Sequence, residues 1–567
     1  MDILEELKQI ANKNLPTGVC ASIDLSIKPE FGDYSIILEV KDKKHFQKNL
    51  AELLKEVKAK IEKERFIKNN VRKIEAVNPV FLNFFLRPEK IKAQVKEIIG
   101  AGKDFGKGKK NKDIIIVDYS SPNIAKPMHV GHLRSTFIGQ AIYNFYKFLG
   151  YRVVGDNHLG DWGTQFGKMI AGCKRYLKNI DELEKINIQQ MLEIYVRFNR
   201  EEEKNPEMQE LAKLEFKKLE DGDKENRRIW KILRDKSLKE FQKIYALLGV
   251  KFDLIKGESD YQSQVKKEVD GALKRGKAIK NEDGSVIIPL GEMTPFLIQK
   301  SDGATVYGTR DLATIKYRVK KYHPRKIIYV IGNEQSFYLE QLFAAAEVLG
   351  YISKENLYHV KFGLVLDENR KKLATREGRV IGAEELIQKI IDLAEDVIEK
   401  KNPKLPQKEK KQIAKIIGIG ALKYNDLSQN RLTDIIFDWK KMLSFEGNSA
   451  PYLLYTYVRL KSILKKAKTE FEQFDHSLLN EEIEMAIIKQ LIVFPQTIRR
   501  SLMHYELNLL ANYLFKLATA INYFYETTPV LKAEKNIQLA RLALLKAASI
   551  VLKNGLNLLG IEVLERM

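Results

Sequence analysis

The stretch that decides the fold is Asp118-Tyr-Ser-Ser-Pro-Asn-Ile-Ala-Lys-Pro-Met-His-Val-Gly-His-Leu-Arg-Ser135. Before it, Ile114-Ile-Ile-Val117 is a short β-branched run of the kind that forms a buried parallel strand. After it, Leu133, Phe137, Ile138, Ala141, Ile142, Phe145 and Leu149 recur at helical spacing up to Gly150, a C-cap residue. The polar stretch is therefore a strand-to-helix crossover, which places its side chains at the carboxyl edge of an α/β sheet, where ligands bind. His129 and His132, three apart, share the face of the first helical turn, and Gly131 lets a ligand approach the backbone. With the N–H groups of the helix start, they make a candidate phosphate site.

Working outward, 567 residues exceed a single core and predict three or four domains. The chain is 44% hydrophobic and 30% charged, with no apolar run of ~18 residues, so a globular chain without a membrane span is expected. Its acidic start, Met-Asp-Ile-Leu-Glu-Glu, is unlike a secretory signal, and a cytoplasmic location is expected. Cys20 and Cys173 can neither staple such a chain nor build a zinc site. Lysine and arginine exceed aspartate and glutamate by 97 − 75 = 22, a field that favours a polyanionic partner.

Residues 1–100 read as a small α+β unit, with helical stripes at Leu4, Leu7, Ile10 and at Phe46, Leu50, Leu53, Val57, and strands near 34–40 and 80–86. Residues 101–112, rich in glycine and lysine, read as a flexible basic linker; a P-loop is rejected because Lys107 is followed by glycine. A parallel-sheet domain spans 113–400. Its second strand, Tyr151-Arg-Val-Val154, leads into a second glycine-rich crossover, Gly155-Asp-Asn-His-Leu-Gly-Asp-Trp-Gly-Thr-Gln165. A charged helical insertion is expected over about 170–290, contributing no catalytic residue. Tyr307 and Asp311 share a face of a helix for which Thr309 is the expected N-cap, and Gln335 follows the strand Lys326–Ile331. Residues 401–567 read as an all-α bundle. There Tyr452, Tyr455, Tyr457 and Arg459 offer aromatic and basic groups for unpaired bases, with about half expected to face the interior.

His129-Val-Gly-His132 resembles the HIGH motif of class I aminoacyl-tRNA synthetases, and the sixteen residues Ser120–Ser135 resemble arginyl-tRNA synthetases in particular. Asn157-His-Leu-Gly-Asp-Trp-Gly-Thr-Gln165, Phe437–Tyr452 and the terminal Leu556–Met567 are also similar to that family, and Phe31–Tyr34 with Leu82–Phe85 resemble its amino-terminal add-on domain. The resemblance implies a Rossmann-like catalytic domain with a helical insertion, an N-terminal α+β add-on domain and a C-terminal anticodon-binding bundle. It implies an enzyme that activates L-arginine with ATP to the adenylate, releasing pyrophosphate, and transfers it to tRNA-Arg, releasing AMP. It also implies that bound tRNA is needed before arginine is activated.

By the same resemblance, Asp118, Tyr307 and Asp311 would take the guanidinium, and Ser121, Asn123 and Gln335 the amino acid's backbone end. The family usually has glutamate where Asp118 stands. His129 and His132 would stabilise the transferring phosphate, and Gly131 would let adenine lie against backbone. Lys126, Lys372 and Arg376 would neutralise pyrophosphate. Lys372-Leu-Ala-Thr-Arg376 resembles the mobile KMSKS loop, with Ala374 and Thr375 in place of its serine and second lysine. Asn83, Tyr455 and Arg459 would contact tRNA. Magnesium is expected with ATP, zinc is not, and a monomer is expected. A cysteinyl enzyme would need zinc-ligating cysteines, and a merely basic RNA-binding protein leaves Asp118, Tyr307 and Asp311 without a role.

Overall fold

The computed structural model describes residues 3–25, 29–40, 49–77, 80–367, 370–371, 381–467 and 473–567. At its centre lies a five-stranded sheet in the spatial order Leu357–His359, Lys326–Tyr329, Ile114–Asp118, Arg152–Leu159, Leu254–Gly257. Every neighbouring pair is parallel. Residues Ile115, Ile116 and Val117 are almost wholly buried, as a strand covered on both faces requires. The chain runs outward one way from Ile114–Asp118 and resumes on its other side with Lys326–Tyr329. The carboxyl ends of these two strands flank the topological switch point, the place where such sheets open a crevice.

The amino-terminal unit is a four-stranded antiparallel sheet, Val19–Leu25, Tyr34–Val40, Phe81–Leu86, Val71–Val77, backed by helices that include Ile3–Asn14 and Leu50–Ile61. Leu4, Leu7, Leu53 and Val57 are buried as the helical spacing predicts; Phe46 lies outside the described residues. From Ala383 to Leu558 the described chain is helical apart from short connections and the two-residue strand Ile435–Ile436.

Three expectations need correction. The segment 101–112 is not a free linker. Phe105 stacks on Phe494, Gly108 N–H donates to Phe148 and Asn111 N–H to Gly150. Gly108 and Gly150 cross so closely that a Cβ on either would strike the other segment's backbone, at Leu149 and Lys109 respectively. The region 170–290 is not one helical insertion either. After the helix Lys224–Leu248, Leu254–Gly257 joins the central sheet as its edge strand, a further helix spans Gln262–Lys274, and Val286–Leu290 and Met293–Gln299 form an antiparallel pair. Finally, the helix Tyr307–Tyr322 has Val306 at its N-cap, while Thr309 is buried and its hydroxyl donates to the Ile298 carbonyl, 2.5 Å away.

Candidate active site

The first crossover carries three non-glycine residues in the left-handed region, Ser120 (φ 70°), Ser121 (φ 42°) and Ala125 (φ 62°). Such conformations persist only where surrounding bonds impose them. Each of these N–H groups is held by a side chain from a different element: Ser120 N by Ser135 Oγ (2.9 Å), Ser121 N by Asn157 Oδ1 (3.1 Å) and Ala125 N by Ser237 Oγ (2.8 Å). The loop is also stitched to the second crossover, through Ile124 N to Gly160 O and Gly160 N to Pro122 O, both 3.2 Å.

His129 caps the helix Val130–Phe148, its Nδ1 accepting Gly131 N–H at 3.2 Å; His132 Nδ1 accepts His129 N–H at 3.1 Å. Both rings thus use Nδ1 as acceptor, which fixes the proton on Nε2 and leaves each with an N–H to donate. Burial pushes His132 down to about 3, and burial with the nearby Lys126 charge lowers His129. At neutral pH both are uncharged donors.

Across the cleft the chemistry is acidic. Asp118 is buried, its Oδ1 accepting from Ser121 Oγ (2.7 Å) and its Oδ2 from Arg318 Nη2 (2.5 Å). Arg318 also donates from Nε to Asp156 Oδ2 (2.9 Å) and from Nη1 to the Tyr329 hydroxyl (3.2 Å). Burial pushes Asp156 up to about 6. A carboxylate that the sequence reading gives to the substrate is therefore held by the chain's own guanidinium. Asp311 Oδ2 accepts from the Tyr338 hydroxyl, and its Oδ1 lies 3.9 Å from His158 Nε2. Burial pushes Asp311 up to about 6. Glu258, paired with Arg310 at 2.7 Å, is pushed up to about 7 by burial.

Of the expected residues, Asp118, Ser121, Asn123, His129, Gly131, His132, Tyr307, Asp311 and Gln335 line one cleft of about 400 Å³. Lys126 does not line it; its ammonium sits 4.2 Å from the centre of the Tyr195 ring. Lys372 and Arg376 lie outside the described residues. Asn83 is 3% exposed and accepts the Ser35 hydroxyl at 2.7 Å, an interior position and not a surface that meets RNA. In the helix Ala450–Lys466, Tyr457 is buried and Tyr455 is exposed, with the Arg459 guanidinium over the rings of Tyr455 (4.7 Å) and Tyr525 (4.8 Å). Sequence reasoning missed His158, Glu258 and Tyr338 on the cleft wall and Arg318 behind it. His158 stood inside the second crossover motif and could have been drawn from it; the other three had no local signal.

Three family models match the chain: the class I (R) tRNA synthetase catalytic domain over residues 94–439, the DALR anticodon binding domain over 453–567, and the arginyl tRNA synthetase N-terminal domain over 2–86. The chain is 42% identical to an arginine–tRNA ligase of Clostridium botulinum over 550 residues, 96% of each chain. It is 43% identical to one of Clostridium kluyveri over 561 residues, again 96% of each. Its fold superposes on the arginyl-tRNA synthetase of Plasmodium falciparum with a TM-score of 0.83 at 26% identity, covering 100% of this chain and 99% of that one. With the Thermus thermophilus enzyme the TM-score is 0.84 at 23% identity, covering 100% of both.

Proposed function

The chain belongs to the class I arginyl-tRNA synthetases, and from that premise we propose how its cleft divides the work between amino acid and nucleotide. It is an arginine–tRNA ligase that uses ATP. The arginine carboxylate attacks the α-phosphorus of ATP, pyrophosphate leaves, and a ribose hydroxyl at the tRNA end then attacks the adenylate carbonyl, releasing AMP.

In our reading Asp311 and Tyr307 take the guanidinium, because a planar cation with five donors is matched by a carboxylate with free lone pairs. Asp118 shapes that corner while shared with Arg318 and Ser121. Ser121, Asn123 and Gln335 hold the α-ammonium and carboxylate end. His129 and His132 donate from Nε2 to the phosphate oxygens as they gain charge in the transition state. Gly131 admits the adenine. Lys126, Lys372 and Arg376 are assigned to the pyrophosphate. Magnesium would travel on the ATP phosphates. Residues 1–100 would add tRNA-elbow contacts, 101–112 the connection, 113–400 the chemistry and 401–567 the anticodon contacts. Tyr455 and Arg459 are the bundle residues assigned to unpaired bases. A cytoplasmic monomer completes the proposal.

The observation that carries this reading is the meeting, in one cleft at the switch point, of two neutral imidazole donors and the Asp311 carboxylate. Pyrophosphate exchange run with each amino acid, with and without tRNA, tests it. Exchange is expected with arginine alone and only when tRNA is present; exchange driven by another amino acid overturns it.

A further inference from the structure

His158 is the penultimate residue of the strand Arg152–Leu159 and lies on the cleft wall, with its side chain 13% exposed. Neither ring nitrogen has a hydrogen-bond partner. Buried polar groups in a settled interior are almost always paired, so an unpaired imidazole at a ligand-facing strand end asks for a reason. Asp311 Oδ1 lies 3.9 Å from Nε2, too long for a hydrogen bond and about 1 Å from being one. The other Asp311 oxygen is already fixed by Tyr338.

We propose that His158 is a positioning residue for arginine recognition, its Nε2–H closing onto Asp311 Oδ1 as the guanidinium docks. The idea rests on the reading that Asp311 takes the guanidinium. Burial holds the imidazole at about 4, with Asp118 and Asp260 raising its proton affinity and Arg310 and Arg318 lowering it. It is therefore a neutral donor and does not repel the substrate cation. Asp311 is faced by Tyr338, by Tyr307, Arg310 and Arg318 of its own helix, by Asp118 and Tyr329 from the central strands, and by Glu258. A second donor favours its ionised form, the form that pairs with a guanidinium.

The test measures arginine and ATP KM in tRNA-dependent exchange for His158→Phe, His158→Gln, Asp311→Asn and the Phe/Asn double variant. His158→Ala replaces the Phe variant if the phenyl ring does not pack. His158→Phe is expected to raise the arginine KM roughly tenfold, leave the ATP KM unchanged, and move the acid limb of kcat/KM for arginine to higher pH. His158→Gln, which keeps an N–H donor, should restore most of the loss. The double variant should be no worse than Asp311→Asn, because the two residues act as one unit. Full additivity, or equal rises in both KM values, overturns the proposal. A silent His158→Phe beside an impaired Asp311→Asn overturns the positioning role alone, whereas a silent Asp311→Asn removes the underlying reading and this inference with it.

Discussion

Two crossovers leave adjacent strands of one sheet, both polar, both similar to family motifs, and they do opposite things. The first, 119–129, with the helix turn that follows it, brings polar side chains to the cleft: Ser121, Asn123 and His129 from the loop and His132 from the helix. The second, 160–163, turns them inward. Asp161 is fully buried, its Oδ1 accepting Ser259 N–H (2.9 Å) and its Oδ2 accepting Ser259 Oγ (2.8 Å) and Arg234 Nε (2.9 Å). Its carbonyl accepts Trp230 Nε1–H at 2.7 Å, and Trp162 packs edge-on against Trp230 and Phe216. Gly257 lies so close that a Cβ there would strike the Asp161 carboxylate. Motif identity does not separate a binding loop from a structural clasp; what its polar atoms are bonded to does.

That contrast breaks most visibly at His132. Replacing it with alanine removes a donor aimed at developing charge and should slow adenylate formation roughly 10²–10³-fold. The lost cap on His129 N–H costs only about 1 kcal/mol of stability. A normal exchange rate in His132→Ala would take that ring out of the transition state. Asp161→Ala should show the reverse balance. It leaves Arg234, 23% exposed on its side chain, with only the more distant Asp260 carboxylate at 3.8 Å, and orphans the Ser259 donors. A loss of about 3 kcal/mol in urea unfolding is expected, with the arginine and ATP KM of the remaining folded enzyme little changed. A stable variant with impaired KM would move Asp161 to the ligand side.

The first crossover was legible because its signal is local: a β-branched strand, a polar break and a helical repeat within forty residues, with cap and histidines three apart. The acid corner was only half legible. Asp311 and Tyr307 lie on one helix face, but Arg318 reaches Asp118 across 200 residues of sequence, and Glu258 and Arg310 meet across 52. Glu258 was hidden because Leu-Ile-Lys-Gly257 is a short, weakly apolar strand inside a charged helical region. Asn83 was misread for a related reason. It was assigned to tRNA by resemblance alone, yet it is buried and its amide oxygen accepts from Ser35 on the paired strand. Tertiary partners, which spacing does not encode, decided each case.

The two cleft walls should also separate by pH, the smallest effect and the most selective. The histidine wall has no group titrating upward into the working range, since His132 is held at about 3 and His129 is lowered. The acidic wall does, with Asp311 at about 6 and Glu258 at about 7. These carboxyls sit above their ordinary values because burial disfavours charge. Taken alone they stabilise the ligand-free fold most below about pH 4, and that contribution is lost as pH rises through 6 to 7. Arginine binding runs the other way. The guanidinium needs the ionised carboxylate, so binding expels the proton and weakens as pH falls through the same window. Lowering pH from 8 to 5 should raise the arginine KM about tenfold, from one group titrating near 6, while the ATP KM stays nearly level. An arginine KM as flat as that for ATP would mean that neither carboxylate touches the guanidinium in its charged form, and the acidic wall would then belong with Asp161 among the residues that hold the fold.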